Sequence, residues 1–338
     1  MSLLVLSAQD VNTITATFSS AELEDLMASV FHCLSTGSDY ASPHRTTIAM
    51  SHHTALSMPS RMKNVGTAIK VVSVPTSTDD NRGLPASTVL MDEETGCVKA
   101  IVNASALTAL RTAAGSVLAT RSLLSKPPTS LVAFGAGKQI EAHVDLHIRA
   151  FPSIKRCVIV NRSRNMRLEN LLSELRRSHP LVALEGLAAD DTTDVRNAVS
   201  HASVICTATS STRPLFPSEW VSPETHLNLV GSFKPGMVEV DCDLIRRAGT
   251  IVVDSAEACA VEAGELIAVG LRAGDMIEIG RLVEDRQGRL QGEIQMTKGD
   301  VTVFKSVGVG LQDVAIARHV VSKAESLAIG TIVENFHV

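Results

Sequence analysis

Residues 131–143 read LVAFGAGKQIEAH: an apolar strand ending at Phe134, a tight Gly135-Ala136-Gly137 turn, and a helix starting at about Lys138. Few architectures accept that order. Glycines there let the backbone approach a pyrophosphate, and the helix start offers unpaired N–H groups and the positive end of a dipole. The pattern that follows supports the same reading. KQIEAHVDLHIRAF reads as a helix, KRCVIVNRS as a strand, RLENLLSELRRSH as a helix, and ASVICTAT, HLNLVGS and TIVVDS as further strands. Such alternation predicts a parallel sheet covered by helices on both faces. The turn becomes a dinucleotide signal because it sits in a βαβ unit, with Gly135, Ala136, Gly137, Lys138 and Gln139 as the expected cofactor contacts. Ile140 occupies the place where the usual fingerprint has a third small residue, which predicts looser packing of helix on strand.

The second strand ends in Asn161-Arg162-Ser163, without the acid that usually binds a ribose diol. Arg162, with Ser163 and Arg164 beside it, suits a 2′-phosphate, so NADP(H) is the expected cofactor and NAD(H) is tolerated. Ordinary surface arginines are the plainer alternative.

Lys126-Pro127-Pro128 marks a change of pattern. Before it, Leu23, Leu26, Met27, Val30, Phe31 and Leu34 recur at helical spacing, predicting a helix over 19–37 capped by Ser20. Residues 66–75 and 86–91 read as strands around the turn-rich TSTDDNRGLP. MDEETGCVKAIVNA reads as a hairpin turning at Glu94-Thr95-Gly96, and 107–124 as a helix. The end of the chain, SVGVGLQDVAIARHVVSKAESLAIGT, reads as a long helix that leaves the nucleotide domain.

Composition closes off other classes. With 338 residues and 45% hydrophobic content the chain is long enough for two domains, and its net charge of −5 gives no basic face for nucleic acid or an anionic membrane. No apolar run approaches the ~20 residues of a membrane helix. The six cysteines form no metal-type cluster, so no metal is expected and reduced thiols in a cytoplasmic protein are. His143 and His147 have metal-type spacing but no evident third ligand.

Eight stretches occur in order: MPSR, GTAIKVVSV, GLPASTVLMDEETGCVKAIV, LTALRTAAGSVLAT, FGAGKQ, ICTATSST, VGSFKPGMVEVD and VFKSVGVGLQDVAIA. Together they resemble the ornithine cyclodeaminase/mu-crystallin family. The resemblance implies an α/β protein in which a Rossmann-type NAD(P)-binding domain is inserted into a discontinuous α+β substrate/dimerisation domain. The expected parts are 1–125 for substrate and dimerisation, 126–305 for the dinucleotide, and 306–338 as a returning helix. It also implies a homodimer and nicotinamide-dependent chemistry on a small imino or amino acid.

By position, the resemblance assigns Arg45, Lys70 and Arg111 to a substrate carboxylate and Met58 to the pocket wall. Lys70 lies inside an apolar run, where a lysine is costly unless it meets a partner or a cleft. It is also the expected proton donor. Thr112 matches a helix start near the cofactor phosphates. Thr207, Ala208, Thr209 and Ser232 match cofactor loops, and Ser306, Val307 and Gly308 match a return segment near the nicotinamide. Asp313 fits an orienting role, a helix cap or an ion pair. His52 and His53 are secondary acid/base candidates.

Phe233 departs from the family pattern. Cyclodeaminases carry an Asp there, and ALSMP (55–59) lacks the Glu they place before Met-Pro. An apolar ring neither accepts a proton nor favours a side-chain amine. The expectation is therefore an NADP(H)-dependent imine or ketimine reductase acting on C=N next to a carboxylate, with Phe233 shaping an apolar pocket. The alternatives are an amino-acid or opine-like dehydrogenase in a biosynthetic pathway and a non-catalytic NADPH-dependent ligand binder. Filling space under the loop is the plainer role for Phe233.

Overall fold

The computed structural model describes residues 2–37, 39–76, 83–283 and 296–337. Most of TSTDDNRGLP lies outside them. The chain forms two compact units, 1–111 with 309–338, and 112–308.

The first unit contains β1 (Leu3–Leu6), α1 (Ala8–Thr15), α2 (Ser20–Thr36), β2 (Tyr40–Ala41), β3 (Thr46–Ala49), β4 (His53–Met62), β5 (Gly66–Pro75), β6 (Ala86–Met91) and β7 (Val98–Asn103). Helix α3 (Ser105–Leu123) follows. Ser19, rather than Ser20, caps α2: its side chain accepts the Glu22 N–H, and the Glu22 carboxylate reaches back to the Ser19 N–H. Gly37 closes the helix at φ 69°, a conformation a Cβ disfavours. The strands β1, β4 and β7 with β6 and β5 build most of an eight-stranded mixed sheet. Strand β4 and its β3 partner were not legible as strands, because SHHTALSMPSRM has no clean alternation.

Strand β5 pairs antiparallel with β4 and β6. Its side chains alternate: Ala68, Lys70 and Val72 are buried, while Ile69 and Val71 are exposed at 36% and 42%. Period two therefore carries Lys70 to the inner face, in register with Met58 on one side and Thr88 on the other.

The second unit holds β8 (Ser130–Phe134), α4 (Lys138–Ala150), β9 (Arg156–Asn161), α5 (Met166–Ser178), β10 (Ala183–Ala188), α6 (Thr192–Ser200), β11 (Val204–Thr207) and β12 (His226–Leu229). It continues with α7 (Cys242–Arg247), β13 (Ile251–Val253), α8 (Ala256–Glu262), α9 (Gly264–Ala268), β14 (Met276–Glu278) and β15 (Thr302–Lys305). The strand order is β10-β9-β8-β11-β12-β15-β13-β14, all parallel. This is a Rossmann-type sheet whose order reverses between β8 and β11. Buried runs such as Leu131–Phe134 and Cys157–Val160 are apolar on both faces, as a covered parallel sheet requires.

Helix α10 (Gly310–Leu327) and β16 (Thr331–Val333) complete the first unit. There α10 packs on β4, β5 and α2. The division between units falls within α3 and before α10, at 111/112 and 308/309, whereas the sequence places it at Lys126 and Ser306. Lys126-Pro-Pro follows the end of α3 and so ends a helix. Thr112 does not start a helix either: α3 begins at Ser105, and Thr112 is buried well inside it.

Candidate active site

In the first unit, three expected residues converge. Lys70 Nζ lies 2.7 Å from Asp313 Oδ2, and Arg111 Nε donates to Asp313 Oδ1 at 3.2 Å. Lys70, Arg111 and Asp313 are 2%, 4% and 3% exposed, so this is a buried two-cation, one-anion group. Arg111 Nη1 also donates to Gln312 Oε1 at 2.7 Å, and Gln312 Oε1 accepts the Val309 N–H at the start of α10. Helix α10 therefore aims Gln312 and Asp313 at α3 and β5.

Burial pushes Lys70 down to about 8, with the charges of Arg111 and Arg45 acting in the same direction and Asp313 opposing. Arg45 is half-buried and close enough to Lys70 to depress its proton affinity. Lys70 and Arg111 against the single Asp313 carboxylate leave that group formally positive, which attracts a carboxylate ligand. Met58, 8% exposed, stands opposite Lys70 across the β4–β5 pair and supplies an apolar neighbour on that face. His52 is exposed and His53 half-buried.

In the second unit, the glycine turn has the form a dinucleotide requires. Gly135 adopts φ 115°, and a Cβ there would stand 3.1 Å from Ala208 O. Gly137 caps α4 without a side-chain hydrogen bond, leaving the helix start to an anion. Ala136 is buried, Lys138 is exposed and paired with Glu141 at 2.7 Å, and Gln139 is half-buried. Ile140 does not loosen the packing. It is fully buried, its Cγ1 3.3 Å from the place of a Cβ at 135, so the larger side chain fills the space beneath the turn.

At the end of β9, Asn161 Nδ2 donates to Ser163 O at 2.9 Å, and Arg162 and Ser163 are exposed. His143 and His147 serve structure. Their Nε2 atoms bond the Ser116 and Thr120 hydroxyls at 2.9 and 3.1 Å, and burial pushes them down to about 4 and about 3, so they are neutral.

Two buried carboxylates, neither singled out in the sequence, hold the remaining loops. Glu239 accepts from Thr207 Oγ1 at 2.7 Å, Thr209 N at 2.6 Å, Thr209 Oγ1 at 2.8 Å and Gly231 N at 2.7 Å. Burial raises its pKa, opposed by Lys305 and by these donors. Since all four partners donate, we assign it as the carboxylate. Asp254, directly after β13, accepts from Ser306 Oγ at 2.8 Å, Val307 N at 3.0 Å and Gly308 N at 2.7 Å. Lys305 and Glu265, both fully buried, pair at 3.0 Å beside them.

These contacts place the expected cofactor loops at the carboxyl ends of β11, β12 and β15, where open sheets bind ligands. They also spend several hydroxyls. Thr207, Thr209 and Ser306 bond the two acids. Ser232 donates to Met237 O at 2.7 Å and accepts the Gly264 N–H at 3.0 Å. Ala208 is half-buried, its N–H bonded to Phe134 O at 3.1 Å. Phe233 is half-buried in the turn after β12 and packs against the second unit's core, with Lys234 Nζ 5.7 Å from its ring centroid.

A Rossmann sheet with a glycine turn, in a chain that also carries a buried Lys–Asp–Arg group on a mixed sheet, defines the class of two-unit dinucleotide proteins. The chain belongs to the ornithine cyclodeaminase/mu-crystallin family, whose model matches residues 3–327. It is 31% identical over 298 residues to a Δ1-pyrroline-2-carboxylate reductase of Bacillus thuringiensis, covering 85% of this chain and 86% of the relative. It is 34% identical over 235 residues to the mouse ketimine reductase mu-crystallin, covering 69% and 67%. A Thermococcus litoralis Δ1-pyrroline-2-carboxylate reductase, solved with NADH and L-proline, superposes with a TM-score of 0.84 at 25% identity, over 97% of this chain and 99% of that one. Among the described residues, no helix is long and apolar enough to cross a membrane.

Proposed function

We propose that this chain is a nicotinamide-dependent reductase of a C=N bond next to a carboxylate, with a cyclic imino acid or the imine of a 2-oxo acid as substrate. The observation that carries the reading is the buried group in which Lys70 and Arg111 share Asp313 beside Arg45. The similarity to imino-acid reductases supports it. The first unit is then the substrate and dimerisation part, and the second holds the dinucleotide.

Asp313 orients the two cations and stops them repelling each other. Arg45, Arg111 and Lys70 hold the substrate carboxylate, which fixes the neighbouring imine carbon. Met58 presents an apolar wall. A bound nicotinamide would supply the hydride for the imine carbon that these residues position, and the imine nitrogen would take a proton to become an amine. Lys70, poised near pH 8, is the proton donor when the imine arrives neutral. Glu239 and Asp254 hold the loops beside the proposed nicotinamide site in one conformation.

We assign NADP(H) as the preferred form, since Arg162 and Ser163 stand exposed where an NAD site places an acid. A homodimer through the open face of the first unit's sheet accounts for exposed Ile69 and Val71. All six cysteines are free thiols, in keeping with a cytoplasmic location. Phe233 in place of an acid argues against ornithine cyclisation.

The test is NADPH oxidation with Δ1-pyrroline-2-carboxylate and its six-membered homologue, alongside NADP⁺ reduction with amino acids. Turnover of a cyclic imino acid is expected. Tight NADPH binding without turnover of any substrate would assign a ligand binder, and proline formed from ornithine would overturn the reading of Phe233.

A further inference from the structure

The first turn of α5 brings an arginine onto the glycine turn. Arg167 Nε donates to Ala136 O at 2.8 Å, and a Cβ at position 137 would stand 3.1 Å from Arg167 Nη2. The bare Gly137 thus makes room for a guanidinium as well as for a phosphate. The same turn is tied to the end of β9, where Gly135 N–H bonds Val160 O at 2.8 Å. Arg167 therefore bridges the glycine turn and the segment after β9, the two walls of an adenosine ribose site in a Rossmann sheet.

The other arginines of that segment differ. Arg164 is paired with Glu169 at 3.4 Å. Arg162 has no ion-pair or hydrogen-bond partner among the described residues. In Arg167, one N–H is committed to the turn, and neither Nη has a partner among the described residues. The Nε bond restrains the exposed guanidinium, which lowers the cost of ordering its Nη edge on a dianion.

We infer that Arg167 is a specificity-determining residue for the adenosine 2′-phosphate, gripping it jointly with Arg162 across the glycine turn. The inference rests on the NADP(H) reading above. It assigns Arg167 two tasks, bracing the turn through Nε and recognising phosphate through Nη.

The experiment is calorimetric titration of NADPH, NADH and adenosine 2′,5′-bisphosphate into the wild type, Arg167→Gln, Arg167→Lys and Arg162→Ala. Arg167→Gln is expected to weaken NADPH and the bisphosphate by about tenfold or more beyond any loss of NADH, which reports the lost brace of the turn. Arg167→Lys, which keeps the charge but loses the fork, should fall between wild type and Gln. NADH binding doubles as the check that each variant is folded. Equal loss of NADPH and NADH in Arg167→Gln, or no loss of either, overturns the role of Arg167. A wild type that binds NADH as tightly as NADPH and ignores the bisphosphate overturns the NADP(H) reading itself, a result visible before any variant is made.

Discussion

Replacing Asp313 with Asn removes the only carboxylate that Lys70 and Arg111 share among the described residues. Lys70 already sits at about 8 instead of 10.5, which corresponds to about 3 kcal/mol of disfavoured charge. Below pH 8 the lysine is protonated in folded and unfolded chains alike, and that cost is present in full. Between about 8 and 10.5 the unfolded chain binds a proton that the folded chain lacks, so stability rises with pH across this window. At an effective dielectric of about 20, unit charges about 4 Å apart interact by about 4 kcal/mol. Relaxation and water entry reduce this, so the variant's Lys70 should titrate lower by about one to two on the pH scale.

The assay is kcat/KM for a cyclic imino acid between about pH 5.5 and 9.5. In the wild type it should fall above about pH 8 as Lys70 loses its proton. In Asp313→Asn the fall should begin at about pH 6–7. Lys70→Arg keeps a permanent charge but gives up no proton, so kcat/KM should drop across the whole range and the limb near pH 8 should vanish. The substrate's own titration is common to all three proteins and drops out of the comparison. A limb that stays near pH 8 in Asp313→Asn, or that persists in Lys70→Arg, refutes the assignment of Lys70. Breaking a buried pair costs about 3–5 kcal/mol. Should the Asn variant not fold, Lys70→Arg carries the test alone.

Three further outcomes follow from the same geometry. Glu239→Gln sets an amide donor among four donors and should lower stability by about 1–3 kcal/mol in urea unfolding and weaken NADPH; unchanged stability would exclude Glu239 as the clamp of these loops. Gly231→Ala places a Cβ 2.2 Å from Thr209 O and should cost about 1–3 kcal/mol. Gly236→Ala, with nothing within 4 Å of its Cβ, is the control and should stay within about 0.5 kcal/mol; equal effects at the two positions would remove the steric account. Val71→Glu, on the exposed face of β5, should turn the proposed homodimer into a monomer in sedimentation; an unaltered sedimentation coefficient would overturn that interface.

The elements most legible in the sequence were those with one strong local cause. Gly135-Ala-Gly137 between an apolar strand and an amphipathic run fixed the start of α4 at Lys138. Strand β5 was read to the residue, because Gly66 and Pro75 bracket a β-branched run. Strand β4 and the cap of α2 were harder. Two adjacent serines offer the same cap chemistry, and only the reach of Glu22 back to Ser19 decides between them. Lys70 stood out because a lysine in an apolar strand needs an explanation, but its partner Asp313 is more than two hundred residues away by number and had three equivalent readings.

Glu239 and Asp254 show where local reasoning stops. An acid near a turn reads as solvated by default, and Glu239 follows a Gly/Pro turn in which Phe233 draws the attention. Its burial is decided by Thr207, Thr209 and Gly231, which arrive from the ends of two other strands, and by Lys305 from a third. One signal was available: Glu239 alternates with Val238 and Val240 at strand-like spacing, and Asp254 directly follows the buried run Ile251–Val253. A charge within or directly beside a buried run needs partners. That condition alters the meaning of Phe233 as well. The loop does contain a carboxylate, but its oxygens are filled by two backbone N–H groups and two threonine hydroxyls. Asp254 is likewise occupied by three donors from the return segment. Neither acid retains the free acceptor capacity that a diamino acid's second amine would require. The loss of the Asp from the Phe233 position is therefore not made good by a neighbour, and in the proposed reaction proton donation rests with Lys70.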